Sequence, residues 1–246
     1  MTKAFTLKER PELEPDYERL ADLGWPRFMR QRDELGCGRY WSSLFTEFAD
    51  YQFALCNALD RVVAVAHTVP FAWDGADEAL PESIAAILKN ATEARRAGGP
   101  VTALSALAVL VDPAQRGQGL SRLALTVMAQ LAGRHGLGAF VAPVRPTLKP
   151  AYPLAPMERY VAWTDGEGLP FDPWMRTHAK LGARVVRVMP RSMVIAGTVA
   201  QWEEWTGMRF PDPGAYVVPG ALQPVVIDPA RESGRYEDPN VWMRHA

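Results

Sequence analysis

The sequence is poor in the residue types that announce several kinds of chemistry. Its 246 residues hold two cysteines, Cys37 and Cys56, and four histidines. Two cysteines give neither a disulfide framework nor a zinc spacing, and such sparse use suits a reducing compartment. An excess of one charge is also missing: 27 basic residues against 28 acidic ones leave a net charge of −1. That balance argues against a broad nucleic-acid or anionic-membrane surface, though it leaves room for a local basic pocket. No apolar run approaches the ~20 residues of a transmembrane helix. The opening MTKAFTLKERPELEP has no apolar core of the signal-peptide kind. The expectation is a soluble cytoplasmic protein with no nucleic-acid or membrane partner and no metal. Apolar residues, by contrast, make up 48% of the chain, enough for a substantial core.

The periodicity predicts an α/β order. Residues 14–35 read as helical, with Gly24-Trp25-Pro26 breaking the run. Strands are expected at about 51–57 and 62–69, joined as a hairpin through Ala58-Leu59-Asp60-Arg61. Pro81 is expected to open a helix that Gly98-Gly99 closes. The stretch 101–111, VTALSALAVLV, is apolar at both alternating sets of positions, the pattern of a strand covered on both faces. Leu120, Leu123, Ala124, Val127, Met128 and Leu131 then form one helical stripe. A strand is read at 138–144, followed by a Pro- and aromatic-rich insert to about 172. Asp172 and Pro173 start a helix that ends at Gly182. ARVVRV and SMVIAGT read as two strands joined by Met189-Pro190-Arg191. A short helix follows Thr198, and a strand at 222–227 has no evident place.

Between the 101–111 strand and the helix stand Arg116-Gly117-Gln118-Gly119. A plain turn accounts for two glycines there. So does an anion site, because the first N–H groups of a helix lack internal partners and glycines admit a phosphate without a Cβ in the way. No G-x-x-x-x-G-K-[ST] is present, and Arg122 breaks the G-x-G-x-x-G of a dinucleotide fold.

VLVDPAQRGQGLSRLAL resembles the acyl-CoA-binding motif of the GNAT superfamily of N-acyltransferases, Q/R-x-x-G-x-G/A after a strand. THAKLGARV resembles that family's closing motif. The resemblance implies a GNAT-like α/β fold with a mixed, mostly antiparallel sheet flanked by helices. It would span residues 1–198, with inserts at about 74–99 and 145–172. The stretch 199–246 would be an extension packing on the domain or on a second subunit of a homodimer. An acyl-CoA co-substrate, acetyl-CoA first, is implied, with its pyrophosphate on Arg116, Gly117, Gln118, Gly119, Leu120, Ser121 and Arg122. Its pantetheine arm is implied beside Val109, Leu110 and Val111, where the family's central strand is bulged and splays from the next. Ser121 stands in place of the second small Gly or Ala, Ala183 in place of a Phe, and His178 in place of a tyrosine that often protonates the departing thiolate.

Acyl transfer to an amine calls for a proton acceptor and for an acid at the sulphur. His178 is the expected acid; a half-buried structural histidine is the alternative. Asp74 is the expected partner for a substrate ammonium or its proton, against an Asp-Gly turn. His67, on a strand face with Val63 and Val65, reads as a core histidine, and Ser105 as a backbone-bonded one of its strand. Arg145, Lys149, Tyr152, Tyr160 and Trp163 of the insert line a pocket for a planar or carboxylated acceptor or pack the loop onto the domain. Neither cysteine has a nucleophile's setting, which favours direct attack in a ternary complex. The function expected is N-acyl transfer to a small-molecule amine. A non-catalytic acyl-CoA sensor is the alternative.

Overall fold

A computed structural model describes residues 2–246. A nine-stranded sheet runs through the molecule in the order β1-β2-β3-β4-β5-β9-β8-β7, with β6 paired to β9. Strands β1 (Lys3–Thr6), β2 (Phe53–Cys56), β3 (Val62–Phe71) and β4 (Ala103–Val111) are antiparallel in succession. β4 and β5 (Ala139–Val144) pair in parallel. Helix α4 (Leu120–Arg134) connects them, as a parallel pair requires.

Local chemistry sets most of the boundaries. Helix α1 (Glu14–Gly24) stops where Trp25 turns extended, at φ −103° and ψ 139°, since a residue before proline avoids the helical region. Helix α3 (Ile84–Arg96) starts later than Pro81 suggests. Ser83 caps it by accepting from the Ala86 amide at 3.1 Å, leaving the Pro81 carbonyl free to accept from Trp242 Nε1 at 3.0 Å. Asp172 caps helix α6 (Pro173–Ala179) through the amides of Trp174 and Met175. Thr198 and Gln201 form a capping box at helix α7 (Val199–Thr206).

One expectation on strands changes. Residues 184–197 form one strand, β6 (Arg184–Gly197), rather than two joined by a turn. It is irregular between Met189, opposite Asn240, and Met193, opposite Asp238. Pro190 and Pro239 both fall in this gap and bring no N–H groups, so the ladder bulges instead of reversing. Ser192 Oγ bonds the Asp238 carbonyl at 2.8 Å across the gap.

The stretch 199–246 supplies more than an attachment. Strands β7 (Gly214–Tyr216) and β8 (Val225–Asp228) extend one rim of the sheet. β9 (Ser233–Arg244) enters its middle, pairing Val241–Arg244 with β5 on one side and with β6 on the other. Val241, Trp242 and Met243 are at most 1% exposed, so the main core closes only with this last strand in place. Two short helices, α2 (Gly38–Trp41) and α5 (Met157–Tyr160), complete the fold, the latter burying Met157 and Tyr160 in the main core. No helix among the described residues is long and apolar enough to cross a membrane.

Candidate active site

The site begins with a defect in the sheet. β4 and β5 pair only at Ala103, Leu104 and Ser105, opposite Ala139, Phe140 and Val141. Beyond Ser105 the strands part, and both flanks, Ala106–Val111 and Ala142–Val144, line a cleft of about 1560 Å³. On its other edge β4 carries a bulge: His67 pairs with Ala108 but Thr68 with Ala106, which leaves Leu107 extra. A bulge increases local twist and bends its strand, and here it lies where β4 leaves β5. Leu107, Ala108 and Val109 are accordingly half-buried in a strand whose first four residues are buried.

β4 feeds directly into the glycine turn. Asp112 caps a short 3-10 turn through the Ala114 amide at 3.0 Å. Gly117 (φ +80°) and Gly119 (φ +75°) take left-handed conformations that cost an L side chain about 1–2 kcal/mol. A Cβ built on either glycine meets nothing within 4 Å, so backbone dihedral and ligand access demand glycine, and packing does not. The first intrahelical bond of α4 is Leu123 N to Gly119 O. Six consecutive amides, Gly117 to Arg122, donate to no described residue. Six unpaired N–H groups at a helix N-terminus make an anion cradle, and Arg116 and Arg122 line the cleft beside it. The expected pyrophosphate residues thus come together, except that Gln118 turns its side chain to Gln115 at 3.2 Å and does not line the cleft.

His178 lines the cleft from α6 and is 1% exposed. Its Nδ1 lies 3.0 Å from His245 Nε2, and its Nε2 is buried without a partner. The two imidazoles thus share one buried hydrogen bond. Burial and its histidine neighbour push the His178 imidazole down to about 3. The expected acid is thus a buried imidazole in the cleft wall that stays neutral at neutral pH.

Asp74 does not join the site. It is exposed, is no part of the cleft wall, and accepts from the Ala76 amide at 2.9 Å, which is a turn contact. Ser105 Oγ bonds the Ala106 carbonyl at 3.0 Å. Of the insert, only Arg145 among the named residues reaches the cleft. Lys149 is buried and bonds the carbonyls of Tyr152 and Leu222. Tyr152, Tyr160 and Trp163 meet Phe171 edge-on or tilted, in an aromatic group that packs on the main core.

His67 belongs to the site, although its strand pattern suggested plain core. It pairs with Ala108 beside the bulge, lines the cleft and has an unpartnered Nδ1. Tyr17, Trp41 and Phe45 enclose its ring at 5.0, 5.0 and 5.7 Å, and burial pushes it down to about 3. Asn240 and Asp238 of β9 also line the cleft; nothing local in the sequence ties them to β4. Cys37 lines the cleft as well, but burial pushes its thiol up to about 12. A thiol so held supplies no thiolate at neutral pH.

Comparison with known proteins fits this geometry. No protein-family model matches the sequence. An arginine N-acetyltransferase, avaD of Aspergillus versicolor, is 35% identical over 274 aligned residues, covering 98% of this chain and 92% of its own. Among solved structures, the loading GNATL domain of CurA from Lyngbya majuscula superposes with a TM-score of 0.65 at 19% identity, covering 100% of this chain and 97% of that one. The GphF GNAT-like decarboxylase, in complex with isobutyryl-CoA, gives 0.58 at 19% identity, with coverages of 100% and 98%. The two structures speak for the fold, and the sequence relative carries it to the family. A splayed and bulged central strand, a cradle of free amides at the next helix and a full-length acetyltransferase relative agree, and the chain belongs to the GNAT superfamily of acyl-CoA N-acyltransferases.

Proposed function

We propose that this N-acyltransferase moves an acetyl group from acetyl-CoA to the amine of an amino acid of the arginine class. The observation that carries the reading is the run of six unpaired amides continuous with the unpaired edge of β4. Acyl-CoA fits that path: anionic phosphates on the amides of Gly117 to Arg122, and an amide-bearing arm along Val109, Leu110 and Val111, as if adding a strand. The co-substrate supplies the acyl group as a thioester. The arginine class follows from the sequence relative, named for arginine, and from the aromatic wall. Trp25, Trp41 and Phe45 line the cleft, and aromatic faces suit a guanidinium.

The chain's own residues then position and manage protons. One C–N bond forms and one C–S bond breaks; the nitrogen loses a proton and the sulphur gains one. No external acid is needed. His178 stands as a neutral imidazole on the α6 side of the cleft, oriented by its bond to His245. His67 stands beside the bulge from the α1 side, a neutral dipole among aromatic rings. Direct attack is the mechanism, since neither buried cysteine serves as an acyl carrier. The test is thiol release with acetyl-CoA in the presence and absence of arginine, with the product identified by mass. Release only with the amine, and a product heavier by one acetyl group, is the expected result. Coenzyme binding without turnover across an amine panel would identify a sensor instead.

A further inference from the structure

On β9 and at the end of β5, two side chains are anchored and yet incompletely satisfied. Arg145 follows β5 directly. Its Nε donates to Asp238 at 3.0 and 3.2 Å, and its Nη2 donates to the Gly220 carbonyl at 2.9 Å. The guanidinium lies 5.8 Å from the Trp25 ring centre. Its Nη1 has no hydrogen-bond partner among the described residues, and the side chain is 16% exposed. Asp238 is 1% exposed and also accepts from the Tyr236 hydroxyl at 2.6 Å. The ion pair is thus locked, with one NH₂ group left over. Across from it, Asn240 donates from Nδ2 to the Pro143 carbonyl at 3.2 Å. That bond fixes which way the amide faces, and Oδ1 is buried with no partner in a residue 6% exposed.

Both residues line the cleft. The β5–β9 register ends at Val144 opposite Val241, so Arg145 and Asn240 stand one step further, at the open end of the splay. Asn240 shares a face of β9 with Trp242, which bonds Pro81 just ahead of α3. His245 lies on the opposite face with His178. The pair therefore sits on the other side of the sheet from His178 and His245. A buried carbonyl oxygen left unsatisfied is costly, and it calls for an N–H donor. A held guanidinium with a free arm calls for a carboxylate.

We propose that Arg145 and Asn240 form the acceptor subsite for an α-amino acid. Arg145 Nη1 binds the carboxylate, and Asn240 Oδ1 accepts an N–H of the neighbouring amine, turning the nitrogen lone pair toward the splay. A zwitterion suits the site because the Arg145–Asp238 pair is itself neutral overall. The assignment rests on the N-acyltransferase reading, and the experiment separates the two.

Binding of arginine and of agmatine, which lacks the carboxylate, is measured by calorimetry on the protein saturated with coenzyme A. Acetylation of both is measured in parallel. Arginine is expected to bind at least tenfold more tightly. In Arg145→Lys, which keeps the charge beside Asp238 but not the second arm, the preference is expected to fall below threefold. Asn240→Leu, similar in shape, should lower kcat/KM for arginine about tenfold while coenzyme affinity and melting temperature hold. Equal affinity for the two ligands in the unmodified protein overturns the subsite, even with both acetylated. A retained preference in Arg145→Lys overturns it too. Arginine bound with the expected preference but not acetylated upholds the subsite and removes the activity.

Discussion

An imidazole enclosed by Tyr17, Trp41 and Phe45 cannot easily accept a second proton. Burial holds His67 at about 3, against about 6.5 in an unfolded chain. Between those values the unfolded chain binds a proton that the folded chain refuses. Stability therefore rises with pH through this window and is lost as pH falls from 6.5 toward 3. For one such group the loss reaches about 2 kcal/mol at pH 5. His67→Phe keeps an aromatic ring in the cage and removes the titration. Its unfolding free energy, measured in urea at pH 7 and pH 5, should change about 2 kcal/mol less than that of the unmodified protein. Identical changes would mean that His67 is not held neutral. His178 makes a different prediction, for activity. His178→Phe removes the imidazole and its bond to His245 from the cleft wall and should lower kcat about 100-fold, within the usual range for a positioned acid or base. Coenzyme affinity should stay within about threefold, because the amides of Gly117 to Arg122 are untouched. An unchanged kcat would take His178 out of the reaction.

At the scale of elements, β9 decides whether the fold closes. It is flanked by β5, β6 and β8, and it brings Trp242 and Met243 into the core. A chain ending at residue 198 would leave β5 and β6 with open edges and the core without those side chains. Loss of a buried Trp alone typically costs about 3–5 kcal/mol, a large share of a domain's net stability. The 1–198 fragment should lack near-ultraviolet dichroism and a cooperative unfolding transition. A fragment that unfolds cooperatively would make 199–246 an accessory after all. Gly234 gives a finer test of the same strand. A Cβ there would fall 2.2 Å from Trp202 Cδ1. Gly234→Ala should therefore destabilise by about 1–3 kcal/mol, read as a lower urea midpoint at unchanged slope. These elements also show where sequence reading reaches and where it stops. The α4 stripe, the Asp172 and Thr198 caps and the glycine turn are local patterns, and the structure has them. β9 hides because its first residues, Ser-Gly-Arg-Tyr-Glu-Asp-Pro-Asn, alternate no apolar face. Asp238 and Asn240 are polar yet buried, held by partners distant in sequence. Arg145 and His67 were visible as residues, but their meeting in one cleft depends on pairings that no local period encodes.

For the molecule as a whole, the cleft is a structural weakness that the co-substrate would repair. Three β4–β5 pairs hold the sheet's centre together, and beyond them the strands share a void of about 1560 Å³. The amides from Gly117 to Arg122 and the free edge of β4 gain partners only when something binds between them. A ligand that binds the folded chain alone stabilises it by RT ln(1 + [L]/Kd), about 2.7 kcal/mol at a hundredfold excess over Kd. For a chain of this length each kcal/mol moves the melting temperature by about 2–4 °C, so saturating acetyl-CoA should raise it by about 5–10 °C. Most of the gain should come from the phosphate end. Coenzyme A without its acyl group should therefore act nearly as well, and pantetheine, which has no phosphate, should do little. Gly117→Glu combines the test with its control. The variant places a carboxylate in the cradle at a φ of +80°, where strain and charge oppose binding together. Its own melting temperature should drop by only a few degrees, since the new side chain meets no neighbour. Its response to coenzyme should vanish. A Gly117→Glu protein that still melts higher with coenzyme A would put the pyrophosphate elsewhere, and the path along β4 would lose its anchor.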